Sequence, residues 1–319
     1  MTPQHELEAT MGDSAAAAAP RQGRRRRPGT RASLKRTYTL MLMPALLLVI
    51  GIMVPFANGV WTSLTDKKSY VAGPSFAGLA NYIDLFTDPS FLRALGRTTL
   101  YVVIVLAVQL PLAIIVALLL ARSSAGSWIP RRVLVLPLLI PPIVAGLMWK
   151  TMLQPSAGVI NYLLGLVGIP PQPWLTDIAT ALPSVVLIDT WAFLPFSALI
   201  ILAGLQSLPE EIKEAAQVDG AGPWAVFRHI SLPWIAPYVV LVAIFRVADS
   251  FKQFDLVWPV TRGGPIDATR LLHVMGYEEV FRFSSPARGM AVIFVLWILV
   301  YVVSTYLLKV WRRTINTVG

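Results

Sequence analysis

The 319-residue chain is 55% hydrophobic and 14% charged, with a mean hydropathy of +0.64. Soluble globular domains carry about a quarter of their residues as charges, so this balance excludes one and indicates a polytopic membrane protein. No cysteine occurs, which removes disulfides, thiol catalysis and thiolate metal sites from consideration. The net charge of +10 is concentrated ahead of the first apolar segment, so it reads as a topology signal rather than a nucleic-acid surface.

Residues 1–36 are polar, without apolar periodicity, and hold eight basic residues between Arg21 and Arg36. This composition predicts a disordered basic tail, suited to touching anionic membrane lipid. The apolar segment that follows lacks a small-residue cleavage site and is long enough to span, so it is expected to remain in place. Six stretches reach the roughly 20 residues that a membrane crossing needs. They are 38–64, 98–121, 132–153, 181–205, 234–258 and 289–309. The expected fold is therefore all-α, six spans in one permease-like domain over 37–319, with both termini on one side. Connectors on the side of the N-terminus hold sixteen Lys and Arg against eight on the other. The positive-inside rule thus predicts cytoplasmic termini in a plasma membrane.

The connector 206–233 lies on that same predicted cytoplasmic side. Ser207 with Glu210 forms a capping-box pattern, Pro209 suits a first turn, and a short helix is expected from about Leu208. Glu210, Glu211 and Glu214 favour its N-terminal dipole, and Gly220 is placed to end it in a left-handed turn. Ala215 and Ala216 leave one flank almost bare, which lets a second surface approach the backbone. The same periodicity also describes an amphipathic helix lying on the membrane.

The fifth stretch carries Arg246, Asp249, Lys252 and Asp255, with Ser250 and Gln253 among them. Positions 246, 249, 250 and 253 share one helical face. Charges inside a membrane mark function or pair with one another. One reading gives this face donors and acceptors for solute hydroxyls, with Phe245, Phe251 and Phe254 available for stacking. The other pairs Arg246 with Asp249 and Lys252 with Asp255 for structure alone. Asp189 and Trp191, with Trp149 and Lys150, are further candidates for the solute path. Pro137, Pro141, Pro142, Pro195, Pro233 and Pro237 interrupt spans three to five, where freed carbonyls need neighbours or cavity water.

Catalytic signatures are missing from the sequence. His5, His229 and His273 have no metal-site spacing, and no catalytic metal is expected. Gly263-Gly264-Pro265 lacks the Gly-Lys-Ser/Thr ending of a phosphate-binding loop. The chain is thus expected to be non-enzymatic and free of cofactors, and any ATP used in transport must be bound by another chain. An ion-gradient transporter, with Arg246, Asp249 and Asp255 as a relay, is the alternative class; it predicts an internal repeat, and none is visible between 38–153 and 181–309.

The string Glu214-Ala-Ala-Gln-Val-Asp219-Gly220-Ala221-Gly222, followed by Phe227, Ile230, Leu232 and Pro233, resembles the cytoplasmic loop of permease subunits of bacterial ABC importers, near the carbohydrate-uptake branch. Gly78-Leu-Ala-Asn-Tyr82, Gly158-Val-Ile-Asn161, Pro195-Phe196, Phe254-Asp255 and Thr261-Arg-Gly-Gly-Pro265 extend the likeness from about residue 38 to the end. Arg262 and Arg97 depart from the usual glycine and asparagine. The resemblance, to the first subunit of the maltose-type pair, implies a type I importer architecture for a sugar or polyol, and a heterodimer with a second permease subunit. It also implies two copies of an ATPase holding ATP and Mg, and an extracytoplasmic sugar-binding protein. By the same resemblance Glu210, Glu214, Ala215, Ala216, Asp219, Gly220, Ala221, Phe227 and Pro233 dock the ATPase. Importers of glycerol phosphate, amino acids or peptides remain the neighbouring alternatives.

Overall fold

The computed structural model describes residues 30–70, 73–122 and 128–318. Of the basic tail 1–36 expected to be disordered, residues 1–29, with Arg21 and Arg24 to Arg27, lie outside them, whereas residues 30–36 are helical, against that expectation. The chain forms two compact units, Met1–Pro55 and Phe56–Gly319. In the first, the described side chains from Leu42 to Pro55 are exposed in a continuous apolar helix. That helix, α1 (Thr30–Ser63), starts earlier than the apolar stretch alone suggests, because the residues from Thr30 to Thr37 continue its backbone.

The second unit is built from helices, and its described residues hold no strand beyond one bridge between Thr65 and Phe76. Helix α2 (Ala80–Thr87) is tied to the end of α1 by Asn81, whose amide donates to the carbonyls of Ser63 and Thr65 at 2.8 Å each. Helix α3 (Pro89–Arg122) is the second crossing. The third stretch, expected as one continuous span over 132–153, is instead broken. A short α4 (Trp128–Val135) runs into a 3-10 turn over Leu136–Leu139, and α5 (Pro142–Met152) leaves it at 101°. Pro141 adopts an extended ψ of 139°, and Pro137, Pro141 and Pro142 supply no backbone N–H, so an unbroken ladder is not possible here.

Helix α6 (Val159–Leu166) is held by Asn161. Its amide donates to the carbonyls of Gln154, Pro155 and Gln172, and its oxygen accepts from Gln172 N and the Trp174 indole at 3.1 and 2.9 Å. Helix α7 (Ile178–Gln206) begins at Asp177, which caps Ala179 N at 2.8 Å, and is the most buried crossing. Ala198, Ile201 and Leu202 on α7 and Ala113 and Ala117 on α3 belong to one buried cluster in which small side chains allow close helix approach.

After α7 come α8 (Glu210–Val218), a single turn α9 (Pro223–Val226), a π turn over Phe227–Ser231 and α10 (Leu232–Phe251). From Pro223 to Phe251 these make one 29-residue crossing. Gly204 of α7 lies so close to Tyr238 that a Cβ there would come within 2.6 Å of its ring. Helix α11 (Val257–Thr261) precedes a loop containing the cis Gly264–Pro265 bond. Helix α12 (Leu272–Phe281) then packs antiparallel to the start of α13 (Pro286–Val318), with Gly276 against Ile293 and Gly289 against Val280. Four ion pairs pin this hairpin: Glu278 with Arg270 and Arg282, Arg288 with Glu279, and Arg288 with Asp88. Among the described residues, five helices are long and apolar enough to cross a membrane, and the bent pair supplies a sixth crossing when taken as one.

Candidate functional site

The loop between α7 and α10 is built around an exposed short helix. No residue of α8 is buried. Glu211, Glu214, Ala215 and Val218 follow the i, i+3, i+4, i+7 rule and form one open face, on which Val218 is 88% exposed. Glu210, Lys213 and Gln217 lie on another side, along a cleft of about 580 Å³ also lined by Leu118 of α3 and Phe227. Glu210 is paired there with Lys213 at 2.8 Å. Ala216 is half-buried.

The expected capping box is not formed, and α8 starts at Glu210 rather than near Leu208. Ser207 caps the end of α7 instead: its hydroxyl donates to Gly204 O at 2.8 Å and accepts from the Trp234 indole at 3.1 Å. That hydroxyl is therefore engaged by α7 and α10. The C-terminal expectation holds in detail. Gly220 has φ +81°, its N–H reaches Gln217 O at 3.0 Å, and Ala221 N reaches Ala216 O at 2.9 Å, the two bonds of a Schellman turn. Asp219 is exposed at the cap, and Pro233 lies exposed in the first turn of α10. Trp224, which sequence reasoning passed over, is 69% exposed beside Phe227, ring centroids 5.4 Å apart. An aromatic residue just past Gly222-Pro223 was the available signal.

A second constellation lies inside the bundle. Arg246 of α10 and Asp189 of α7 are both wholly buried and directly paired, Arg246 Nη2 donating to each carboxylate oxygen. Asp189 also accepts from Tyr101 OH at 3.0 Å and from the Gln253 amide at 3.2 Å. Arg246 Nε donates to Gln109 Oε1 at 2.6 Å and Nη2 to Ser250 Oγ at 3.3 Å, while the Phe193 ring covers the guanidinium at 4.3 Å. Tyr101 and Gln109, both on α3, were missed; a glutamine inside the run Val108-Gln109-Leu110 was the visible trace. The carboxylate accepts from Tyr101, Arg246 and Gln253, so this network ties α3, α7 and the end of α10 together.

Two sequence expectations change here. Arg246 pairs chiefly with Asp189, and Asp249, 41% exposed, is a second and longer ion-pair partner 4.0 Å from Nη1. Lys252 pairs with Asp249 at 3.3 Å rather than with Asp255. The reason is where α10 stops: Phe251 ends it, Lys252 caps it, and Asp255 falls in the following turn, off the helical register. The predicted span to residue 258 is shorter by that turn. Asp249, Lys252 and Asp255, with Gln253, Phe254 and His273, line a cleft of about 580 Å³ closed by Phe193 and Pro142. His273 is fixed by Nδ1 against Lys252 O at 2.7 Å. Trp191 packs edge-on against Trp149 at 5.6 Å, and Phe245 meets Phe196, half exposed and away from the cleft lining. Among the described residues no cluster of His, Asp and Glu has the geometry to hold a metal ion.

The fold defines a multi-pass α-helical membrane protein with an exposed loop helix at one end and a polar cleft among its crossings. Residues 109–314 match the family described as binding-protein-dependent transport system inner membrane component. The chain is 37% identical over 290 residues to the probable ABC transporter permease protein y4oQ of Sinorhizobium fredii, covering 90% of this chain and 92% of that one. It is 29% identical to the trehalose/maltose transport system permease protein MalF of Thermococcus litoralis, over 86% and 92% of the two chains. Its fold matches a chain of the bacterial alginate ABC transporter crystallised with an alginate pentasaccharide-bound periplasmic protein, with TM-score 0.77, 21% identity and coverage of 88% and 96%. The chain belongs to the binding-protein-dependent transport system inner membrane component family and is an ABC importer permease of that type.

Proposed function

We propose that this permease imports a sugar or polyol by alternating access, driven by an ATPase that docks on α8. The exposed face Glu211, Glu214, Ala215 and Val218 carries this reading. An open Val218 beside two carboxylates, on a helix with no buried residue and next to the exposed Trp224, supports docking of a partner on this face. The complex is a heterodimer with a second permease on two ATPase copies, which hold the ATP and Mg, and it is fed by an extracytoplasmic sugar-binding protein. Both termini and α8 then lie in the cytoplasm, as the distribution of Lys and Arg supports. The trehalose, maltose and alginate named for its relatives favour a carbohydrate, and the cleft bearing Asp249, Lys252 and Asp255 beside Phe254 offers hydroxyl partners and an aromatic face.

The test is to purify the chain in mild detergent with the subunits encoded beside it, and to measure ATP hydrolysis with binding protein loaded with individual sugars. Stimulation by one sugar is the expected result. Stimulation only by an amino acid, peptide or phosphorylated glycerol would move the solute class, and recovery of the chain without any ATPase would remove the docking assignment.

A further inference from the structure

Helix α12 presents one face that only begins at the cleft and runs on beyond it. His273, Tyr277 and Phe281 recur at i, i+4 and i+8, a single stripe rising about 12 Å. The other sides of α12 are buried through Leu272, Val274, Met275, Gly276 and both glutamates, whereas Tyr277 is half-buried and Phe281 is 70% exposed. The stripe is extended by two rings from the preceding segment. Phe254 stacks on Trp258 at 5.7 Å and 14°, Trp258 meets Tyr277 at 4.7 Å, and Tyr277 meets Phe281 at 4.9 Å. Phe254 also contacts His273 at 5.4 Å and Tyr277 at 4.9 Å.

The direction of this ladder is set by the fold. Its lower members, Phe254 and His273, line the intramembrane cleft. The C-terminal part of α13 lies at the α8 end, since Trp311 and Ile315 share a groove with Ser207 and Trp234. The start of α13 is therefore at the opposite end, and α12, antiparallel to it, climbs from the cleft toward that end. Arg270, Arg282 and Arg288 anchor Glu278 and Glu279, so the stripe is held on a fixed helix.

We infer that Phe281, Tyr277, Trp258 and Phe254 form an entry track along which a pyranose moves by face-stacking from the end opposite α8 to the cleft at Asp249 and Lys252. The inference rests on the carbohydrate reading above. A sugar ring has an apolar face that packs on an aromatic ring, and each contact is weak, so the cluster around Tyr277 continued by Phe281 guides a solute without trapping it. An inorganic anion gains nothing from such a surface.

The test uses the full complex in liposomes with its binding protein, supplied with radiolabelled trehalose or maltose, measuring uptake and ATP hydrolysis together. Replacing Tyr277→Leu and, separately, Phe281→Leu keeps apolar bulk and removes the ring; uptake is expected to fall about three- to tenfold for each, the loss of one stacking contact. Tyr277→Phe is expected to retain uptake, and all three complexes to keep their subunits. Wild-type uptake in Tyr277→Leu, or a Tyr277→Phe variant as slow as the leucine one, would overturn the track. Loss of the second permease from the leucine variants would make the stripe a subunit interface instead. Failure of the unmodified complex to import any sugar would remove the carbohydrate reading, a result separable from the others because no variant is involved.

Discussion

At the residue scale the decisive group is Arg246. A guanidinium with 0% side-chain exposure is tolerated because Asp189, Gln109 and Ser250 accept from its Nε and Nη2 and Phe193 covers its face, while Nη1 has only Asp249 nearby at 4.0 Å. Removing one partner of such a pair leaves the other charge buried and alone, at a cost of about 3–5 kcal/mol. Arg246→Met is therefore expected to lower the thermal denaturation midpoint in detergent sharply, whereas Asp189→Leu with Arg246→Met recovers most of it. If the double variant is no better than the single one, the pair is not the source of the stability. The sequence showed that 246, 250 and 253 share a face, but the partner that organises them sits on another helix 57 residues away. Helical periodicity carries no information about such tertiary pairing. The same blindness let Ser207 pass as a cap for α8, since the competing claim of Trp234 comes from across the loop.

At the scale of elements, the short helix α8 and its Gly220 turn were legible because capping chemistry is local: the φ of +81° at Gly220 needs only its own backbone. Gly220→Val forces a β-branched residue into that region, at a cost of about 1–3 kcal/mol. The expected outcome is an assembled complex whose ATP hydrolysis no longer drives uptake; normal uptake would show that the turn angle is immaterial. Glu214→Lys reverses charge at the centre of the open face and is expected to lower the yield of co-purified ATPase severalfold, with an unchanged yield counting against docking there. The broken third crossing was only half legible. Its prolines were visible, but apolar length alone cannot separate a continuous span from α4 and α5 meeting at 101°.

At the scale of the whole molecule, composition pointed to the membrane as solvent, while the assignment of helices to the interior was not legible in the sequence. Helix α7 is largely enclosed, whereas the described part of α1 up to Pro55 is bare. A partner subunit is thus expected to protect α1: hydrogen exchange across Leu42–Pro55 should slow when the second permease is present, and equal exchange with and without it would leave lipid as its sole neighbour. The crossing from Pro223 to Phe251 has one more mechanical meaning. It joins the single turn after Gly222 to the helix bearing Arg246 without a loop between them, giving a rod about 43 Å long. If this stretch, with its π turn and Pro237, moved as one body, a tilt of about five degrees at Trp224 would shift the far end by about 4 Å, next to the polar cleft.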